Sequence, residues 1–98
     1  MLEQPNFNLS GDKIMTIQNA ITLAKPAVAK KMAKTGRGGS QIFQALCGGA
    51  FRSLANDEPF FIFCARWGCF SNLFEKDLKM IWNICRKIIE ENGNIEID

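Results

Sequence analysis

The C-terminal third of the chain carries the most regular pattern in the sequence, and this pattern most limits how the chain can fold. Apolar residues recur there at spacings of four, three, four and three: Phe74, Leu78, Ile81, Cys85 and Ile88. Charged residues fall mostly outside this stripe, which is typical of an α-helix with one buried face. The pattern predicts a core helix of about 19 residues that begins after a capping Ser71 and ends at Asn92–Gly93. Such a helix needs other elements to cover its apolar face.

A second helical pattern lies in the N-terminal half of the chain, after a possible cap at Asp12. Apolar residues recur there at helical spacings: Ile14, Ile17, Ile21, Ala24, Val28 and Met32. Pro26 interrupts the pattern, because a proline inside a helix removes a hydrogen bond and clashes with the preceding turn. The segment can form one kinked helix or two helices. The sequence favours two, over residues 13–23 and 26–35, with Pro26 in the first turn of the second.

The middle of the chain predicts two further helices. Residues 35–40, TGRGGS, form a turn, and Ser40 is suited to cap the helix that follows it. Within that helix Gly48–Gly49 either marks a turn or admits a closely packed neighbour, since two interior glycines cost about 2 kcal/mol relative to alanine. Residues 59–67, PFFIFCARW, favour a short helix up to Gly68 over a buried strand, because no partner strand is evident elsewhere.

Together these patterns predict an all-α fold, a single small domain of four to five helices. A chain of 98 residues is long enough for one hydrophobic core. The expected domain covers residues 12–93, between a flexible arm (residues 1–11) and a short polar tail (residues 94–98). No apolar run reaches the length of a membrane helix, and the N-terminus lacks the pattern of a secretory signal. We therefore expect a cytoplasmic protein that does not enter a membrane.

The cysteines and the lack of histidine narrow the possible chemistry. The four cysteines are Cys47, Cys64, Cys69 and Cys85, all among apolar neighbours. Only one pair is closely spaced, so buried, reduced thiols are favoured over a zinc site. Without histidine, the Ser–His and Cys–His nucleophile systems are excluded. We expect a non-catalytic protein, not an enzyme, with no cofactor and no bound metal.

Charge is distributed unevenly along the chain. Residues 13–56 contain seven basic residues and no acidic residue, although the whole chain has a net charge of only +2. A block of this kind suggests a polyanionic partner. The alternative is a solvated lysine-rich helix face, which accounts for the lysines but not for the missing acidic residues. Candidate residues for binding nucleic acid or another anion lie between residues 25 and 40: Lys25, Lys30, Lys31, Lys34, Arg37, Gly38, Gly39 and Ser40. The glycines precede a helix N-terminus, where backbone N–H groups can bind phosphate.

Part of this block resembles a DNA-binding motif. The segment IQNAITLAKPAVAKKMAK (residues 17–34) is similar to the helix–turn–helix units of DNA-binding repressors, in which a short helix turns into a recognition helix of the type S-K-P-A-V-S-K. The resemblance implies that Pro26 lies near the start of the recognition helix and that Val28 is buried. It also implies that Lys25, Lys30 and Lys31 lie in or beside the major groove.

Two functions remain open on this evidence. The first, which the sequence favours, is a small regulatory protein that binds nucleic-acid backbone with residues 25–40, for which the helix–turn–helix-like unit offers one route. The second is a protein-binding regulator or inhibitor, of the kind carried by phages and plasmids, that docks on an acidic or apolar surface of its partner. An apolar partner or a homodimer would use the exposed part of a group of aromatic residues for which a place in the core is favoured: Phe60, Phe61, Phe63, Trp67 and Phe70.

Overall fold

Four α-helices and two short strands make up the described part of the protein. The computed structural model describes residues 14–36, 40–71 and 73–96, without the side chains of residues 14, 40 and 69–71. In chain order the elements are β1 (Ile14–Thr16), α1 (Ile17–Met32), α2 (Ser40–Ala55), α3 (Phe60–Ser71), α4 (Glu75–Asn92) and β2 (Asn94–Glu96). The protein is mostly helical, with four helices in one small domain, so the predicted all-α fold is confirmed. The N-terminal arm predicted over residues 1–11 lies outside the described residues.

Helix α4 forms from the C-terminal apolar stripe. Leu78, Ile81 and Cys85 are buried in the core, as their spacing predicted. The helix starts later than predicted, because Phe74 rather than Ser71 is its N-cap residue and the backbone N–H of Phe74 donates to the Asp77 carboxylate at 3.0 Å. The carboxylate also lies at the positive end of the helix dipole. The helix ends as predicted, at Gly93, whose positive φ of 102° favours glycine.

Helix α1 is one continuous helix and not the two helices that the sequence favoured. It begins after Thr16, whose hydroxyl accepts a hydrogen bond from the backbone N–H of Asn19 at 3.1 Å. It then continues through Pro26, which lies on the exposed side. Because proline has no backbone N–H, the carbonyl of Thr22, one turn earlier, receives no hydrogen bond from residue 26. On the exposed side of the helix this carbonyl can bind water instead. The opposite side of α1 is buried along its length, and this packing outweighs the cost of the proline: Ala20, Ile21, Ala24, Val28 and Met32.

Helices α2 and α3 approach each other closely at Gly49. A methyl group at this position would lie 2.7 and 2.9 Å from Cε2 and Cζ2 of Trp67, well inside normal contact. Gly48–Gly49 therefore does not mark a turn; at Gly49 the pair admits a neighbouring side chain. Helix α3 also confirms the helical alternative for residues 59–67. It does not end at Gly68, as the sequence predicted, but continues to Ser71.

Residues 94–96, which were predicted to belong to a polar tail, instead form part of the domain, and the last two residues of that tail lie outside the described residues. Strand β2 pairs in parallel with β1, with Met15 opposite Ile95. Ile95 is only 9% exposed and packs with the hydrophobic core, while its neighbours Asn94 and Glu96 are exposed. The alternation of one apolar residue between two polar residues is the strand pattern, which three residues are too few to reveal in advance.

The pairing of the strands also sets the direction of the helices that follow and precede them. Strand β1 leads directly into α1, and α4 leads into β2 after Gly93 alone. Since the strands are neighbours, the first turn of α1 lies near the last turn of α4, and the two packed helices run antiparallel. The last turn of α1 therefore lies toward the first turn of α4.

Candidate functional site

Lys25 and Lys31, two of the predicted anion-binding residues, lie on different sides of α1. Lys25 is half-buried in a crevice between α1 and α2, together with Gln18, Thr22 and Gln44. Lys31 is exposed and lines a different depression, between α1 and α4. Six residues of an α-helix turn through about 600°, which places Lys25 and Lys31 about 120° apart around the axis. The sequence grouped them because it could not show which neighbours pack on each side of α1.

The remaining members of the predicted set have different outcomes. Lys30 and Lys34 are exposed, close to Lys31 along the chain. Ser40 is the first residue of α2, and its side chain is outside the description. Arg37, Gly38 and Gly39 lie outside the described residues, so the expected anion site in this turn stays a prediction.

The helix–turn–helix unit suggested by residues 17–34 does not form. Such a unit needs a turn between two helices that cross at a large angle. Residues 17–32 are instead one helix, with no turn at Pro26. Val28 is buried, as the resemblance implied, but it is buried through the packing of a single long helix.

The depression beside Lys31 is a groove between α1 and α4, with a volume of about 650 Å³. We call it the α1–α4 groove. Its lining contains five apolar residues, which are Leu23, Ala27, Met80, Ile84 and Ile88. Its polar lining consists of three lysines, one acid and one amide: Lys31, Lys76, Lys87, Glu91 and Asn83. Leu23 is 49% exposed although it is a large apolar residue, so this groove leaves an apolar surface facing solvent.

The groove follows from the spacing of residues on the two helices. Leu23, Ala27 and Lys31 are four residues apart and form one ridge along α1. Met80, Ile84 and Ile88 form the corresponding ridge on α4, also four residues apart. Between them, the small side chain of Ala27 leaves space that a larger residue would fill.

The charge of the groove is positive and is graded along its length. The three lysines against one glutamate give the lining a net charge of +2. Because α1 and α4 run antiparallel, Lys31 and Lys76 lie toward the same end of the groove, away from the strands. Glu91 lies toward the other end, near β2. The groove thus offers an apolar floor with lysines beside it and the strongest positive charge at one end.

The aromatic residues considered as a partner interface belong mostly to the core. Phe63 is fully buried, and its ring centroid lies 5.5 Å from that of Trp82. Phe60 is half-buried and makes an edge contact with Trp82 at 5.6 Å. Trp67 is half-buried against Gly49. Of these five residues, Phe61 is 68% exposed and open to a partner, and the side chain of Phe70 is not described.

The described cysteines behave as core residues. Cys47 and Cys85 are fully buried on α2 and α4, and Cys64 is half-buried. The Cys85 thiol lowers the pKa of Cys47 by hydrogen bonding, and the same contact together with burial raises the pKa of Cys85. Burial also raises the pKa of Cys64. Within the described ranges no group of cysteine or acidic residues could hold a metal ion, and the side chain of Cys69 is not described.

Among the residues that α4 contributes to the groove, the sequence pattern had named Ile88, as part of the apolar stripe, but had singled out no lysine for binding. Lys76 and Lys87 had appeared only as charges outside the apolar stripe of that helix, and Met80 had not been noted. Their positions on α4 were visible in the helical periodicity. The periodicity did not show that α1 packs beside these residues.

Comparison of the chain with known protein families, with characterised proteins and with solved structures finds no match in any of the three. None of the helices in the described part of the chain is long and apolar enough to cross a membrane.

Proposed function

We propose that this protein is a non-catalytic binding protein that recognises an acidic surface of a partner protein through the α1–α4 groove. The observation that carries the proposal is the combination of an apolar floor with three lysines in one groove. Apolar contact supplies affinity when water is excluded, and the lysines favour a negatively charged partner and reject a positively charged one. The acid-free segment of the sequence contributes Lys31 to this site, and α4 contributes Lys76 and Lys87.

A protein partner fits the groove better than nucleic-acid backbone does. Phosphate contacts use charged and polar side chains and gain nothing from apolar residues such as Leu23 and Ile84. A protein surface can cover these residues and place carboxylates beside the lysines at the same time. This argument favours the second of the two functions that the sequence left open.

Nucleic-acid binding remains a second candidate because of one observation. Lys30, Lys31 and Lys34 are all exposed, and residues 14–36 contain no acidic residue. These three lysines can contact a phosphate backbone without the rest of the groove. Under this alternative, binding weakens steeply with salt, because each phosphate contact releases counterions.

The test compares two variants with equal net charge. The groove variant is Lys31→Gln/Lys76→Gln/Lys87→Gln. The control variant, Lys25→Gln/Arg52→Gln/Arg86→Gln, removes three bases that do not line the groove. Each protein is immobilised and exposed to a nuclease-treated extract of its source organism at about 0.15 M salt, where long-range charge effects are screened. Retained proteins are identified by mass spectrometry.

We expect the wild type and the control variant to retain a protein that the groove variant does not retain. Equal retention by the groove and control variants would contradict the proposal. Nucleic-acid binding is measured separately, by electrophoretic shift with DNA and RNA across a salt series. A shift by the wild type that is lost in Lys30→Gln/Lys34→Gln, with no protein retained, would establish the second candidate instead.

A further inference from the structure

The shape of the α1–α4 groove shows what kind of partner segment it can take; this inference rests on the proposed function. The α4 residues that line it extend from Lys76 to Glu91. Along α4 this is a rise of about 22 Å, or about four helical turns, whereas the α1 residues that line the groove, Leu23 to Lys31, cover about 12 Å, or about two turns. The groove is therefore elongated and runs along two neighbouring helices, with one ridge of residues on each side. A third helix packs into such a trough by the same ridge-and-groove geometry that joins the first two.

We propose that the α1–α4 groove binds an acidic amphipathic α-helix of a partner protein, about two to four turns long, with the C-terminal end of that helix beside Lys31 and Lys76. Its apolar stripe covers Leu23, Met80 and Ile84. Acidic side chains on both margins of the stripe meet the lysines that line the groove.

The orientation follows from the graded charge of the groove. The C-terminus of a helix carries a partial negative charge and its N-terminus a partial positive charge. The end of the groove with Lys31 and Lys76 therefore favours the C-terminus of the bound helix. Glu91, toward the opposite end, favours its N-terminus.

A second copy of this chain does not satisfy the groove. In a symmetric dimer the same surface of both copies meets itself. Such a dimer through this groove would place two linings of net charge +2 against each other, so that like charges repel. The positive lining instead requires a partner that supplies the negative charge.

The probe is a synthetic 16-residue peptide with leucines at helical spacing on one face and glutamates beside them, labelled with a fluorophore. One control peptide has the same composition in scrambled order, and a second has lysine in place of glutamate. Fluorescence anisotropy measures binding to the full-length protein, and circular dichroism measures helix formation by the peptide. We expect the acidic amphipathic peptide to bind at least about tenfold more tightly than either control and to gain helicity on binding.

Variants of the protein locate the binding. Ile84→Glu places a charge in the apolar floor, and we expect it to weaken peptide binding by about tenfold or more. Met80→Gln retains the length of its half-buried side chain and serves the same purpose if Ile84→Glu does not fold. Lys31→Gln should weaken binding several-fold, whereas Lys25→Gln, on the other flank of the same helix, should leave it unchanged.

A spin label at either end of the peptide tests the orientation. A label at the C-terminus should broaden the amide signals of Lys31 and Lys76, and a label at the N-terminus should broaden those near Glu91. The reverse pattern would overturn the orientation. Two results would overturn the inference that the partner segment is a helix. In the first, the amphipathic peptide binds no more tightly than the scrambled peptide. In the second, Ile84→Glu and Met80→Gln leave the binding of the peptide unchanged. If the groove lysines nevertheless control retention of a partner protein, the proposed function stands and only the helical form of the partner is rejected.

Discussion

The two consecutive glycines of α2 provide a sharp test of the packing, because alanine at each position should change stability in opposite directions. Both residues lie inside the helix, where alanine is more favourable than glycine by about 1 kcal/mol. At Gly48 the added methyl group would meet Ile21 Cδ1 at 3.4 Å and Arg52 Nη1 at 3.7 Å, which are ordinary contacts. Gly48→Ala should therefore stabilise the protein by about 0.5–1 kcal/mol.

At Gly49 the same methyl group meets the indole of Trp67. The separations of 2.7 Å to Cε2 and 2.9 Å to Cζ2 are about 1 Å shorter than a favourable carbon–carbon contact. Trp67 must then withdraw from its position between α2 and α3. Overpacking of this kind costs about 1–3 kcal/mol, and a displaced ring belongs at the upper end of that range. After the gain of about 1 kcal/mol in helix propensity, Gly49→Ala should destabilise the protein by about 2 kcal/mol.

The assay is chemical unfolding in urea, followed by circular dichroism, for both single variants and for Gly49→Ala combined with Trp67→Leu. A domain of this size shifts its melting temperature by about 4–8 °C per kcal/mol, so thermal unfolding should resolve the two signs as well. In the Trp67→Leu background the clash is removed, and Gly49→Ala should then be stabilising. If both alanine variants stabilise the wild-type protein equally, the close approach of Trp67 to Gly49 is refuted.

Three further predictions concern the core, the sheet and the α2–α3 junction. Phe63→Ala should lower the free energy of unfolding by about 3–5 kcal/mol in urea titrations, because the side chain is fully buried. Ile95→Ser should lower it by about 1–3 kcal/mol and speed hydrogen exchange at the amides of both strands, whereas unchanged exchange would contradict the pairing of β1 with β2. The Ser53 side chain and the Arg66 guanidinium, 2.9 Å away, hold the pKa of Glu58 below its usual value. Its stabilising contribution should be complete above the ordinary pKa of glutamate and lost as the pH falls through the lowered pKa of the folded state. An NMR titration should show this lowered pKa, and Arg66→Gln should move the pKa toward the ordinary value.

Local sequence patterns correctly predicted those features that depend on a single helix alone. The apolar stripe of α4 predicted a long core helix, and Asn92–Gly93 predicted its end, because periodicity and a glycine with positive φ are properties of the helix itself. The helical alternative for residues 59–67 was also correct. The same patterns gave the all-α class, since each amphipathic segment needs another to cover it.

The candidate site was only partly predictable. The acid-free segment drew attention to Lys31, but it grouped this residue with Lys25, which lies on the other flank of α1. Sequence spacing gives the angle between two residues around a helix. It does not show which other helix stands beside each face, so the contribution of Lys76 and Lys87 from α4 could not be inferred.

The sequence by itself determined that this chain forms amphipathic helices, approximately where most of them lie, and that residues 13–56 carry basic but no acidic residues. The tertiary structure decided that α1 continues through Pro26, that residues 94–96 pair with residues 14–16, and that Gly49 receives Trp67. It also created the α1–α4 groove from two segments more than 40 residues apart. The physical reason is common to all four: each depends on contacts between distant parts of the chain, whose packing free energy outweighs the local preferences that a sequence pattern records.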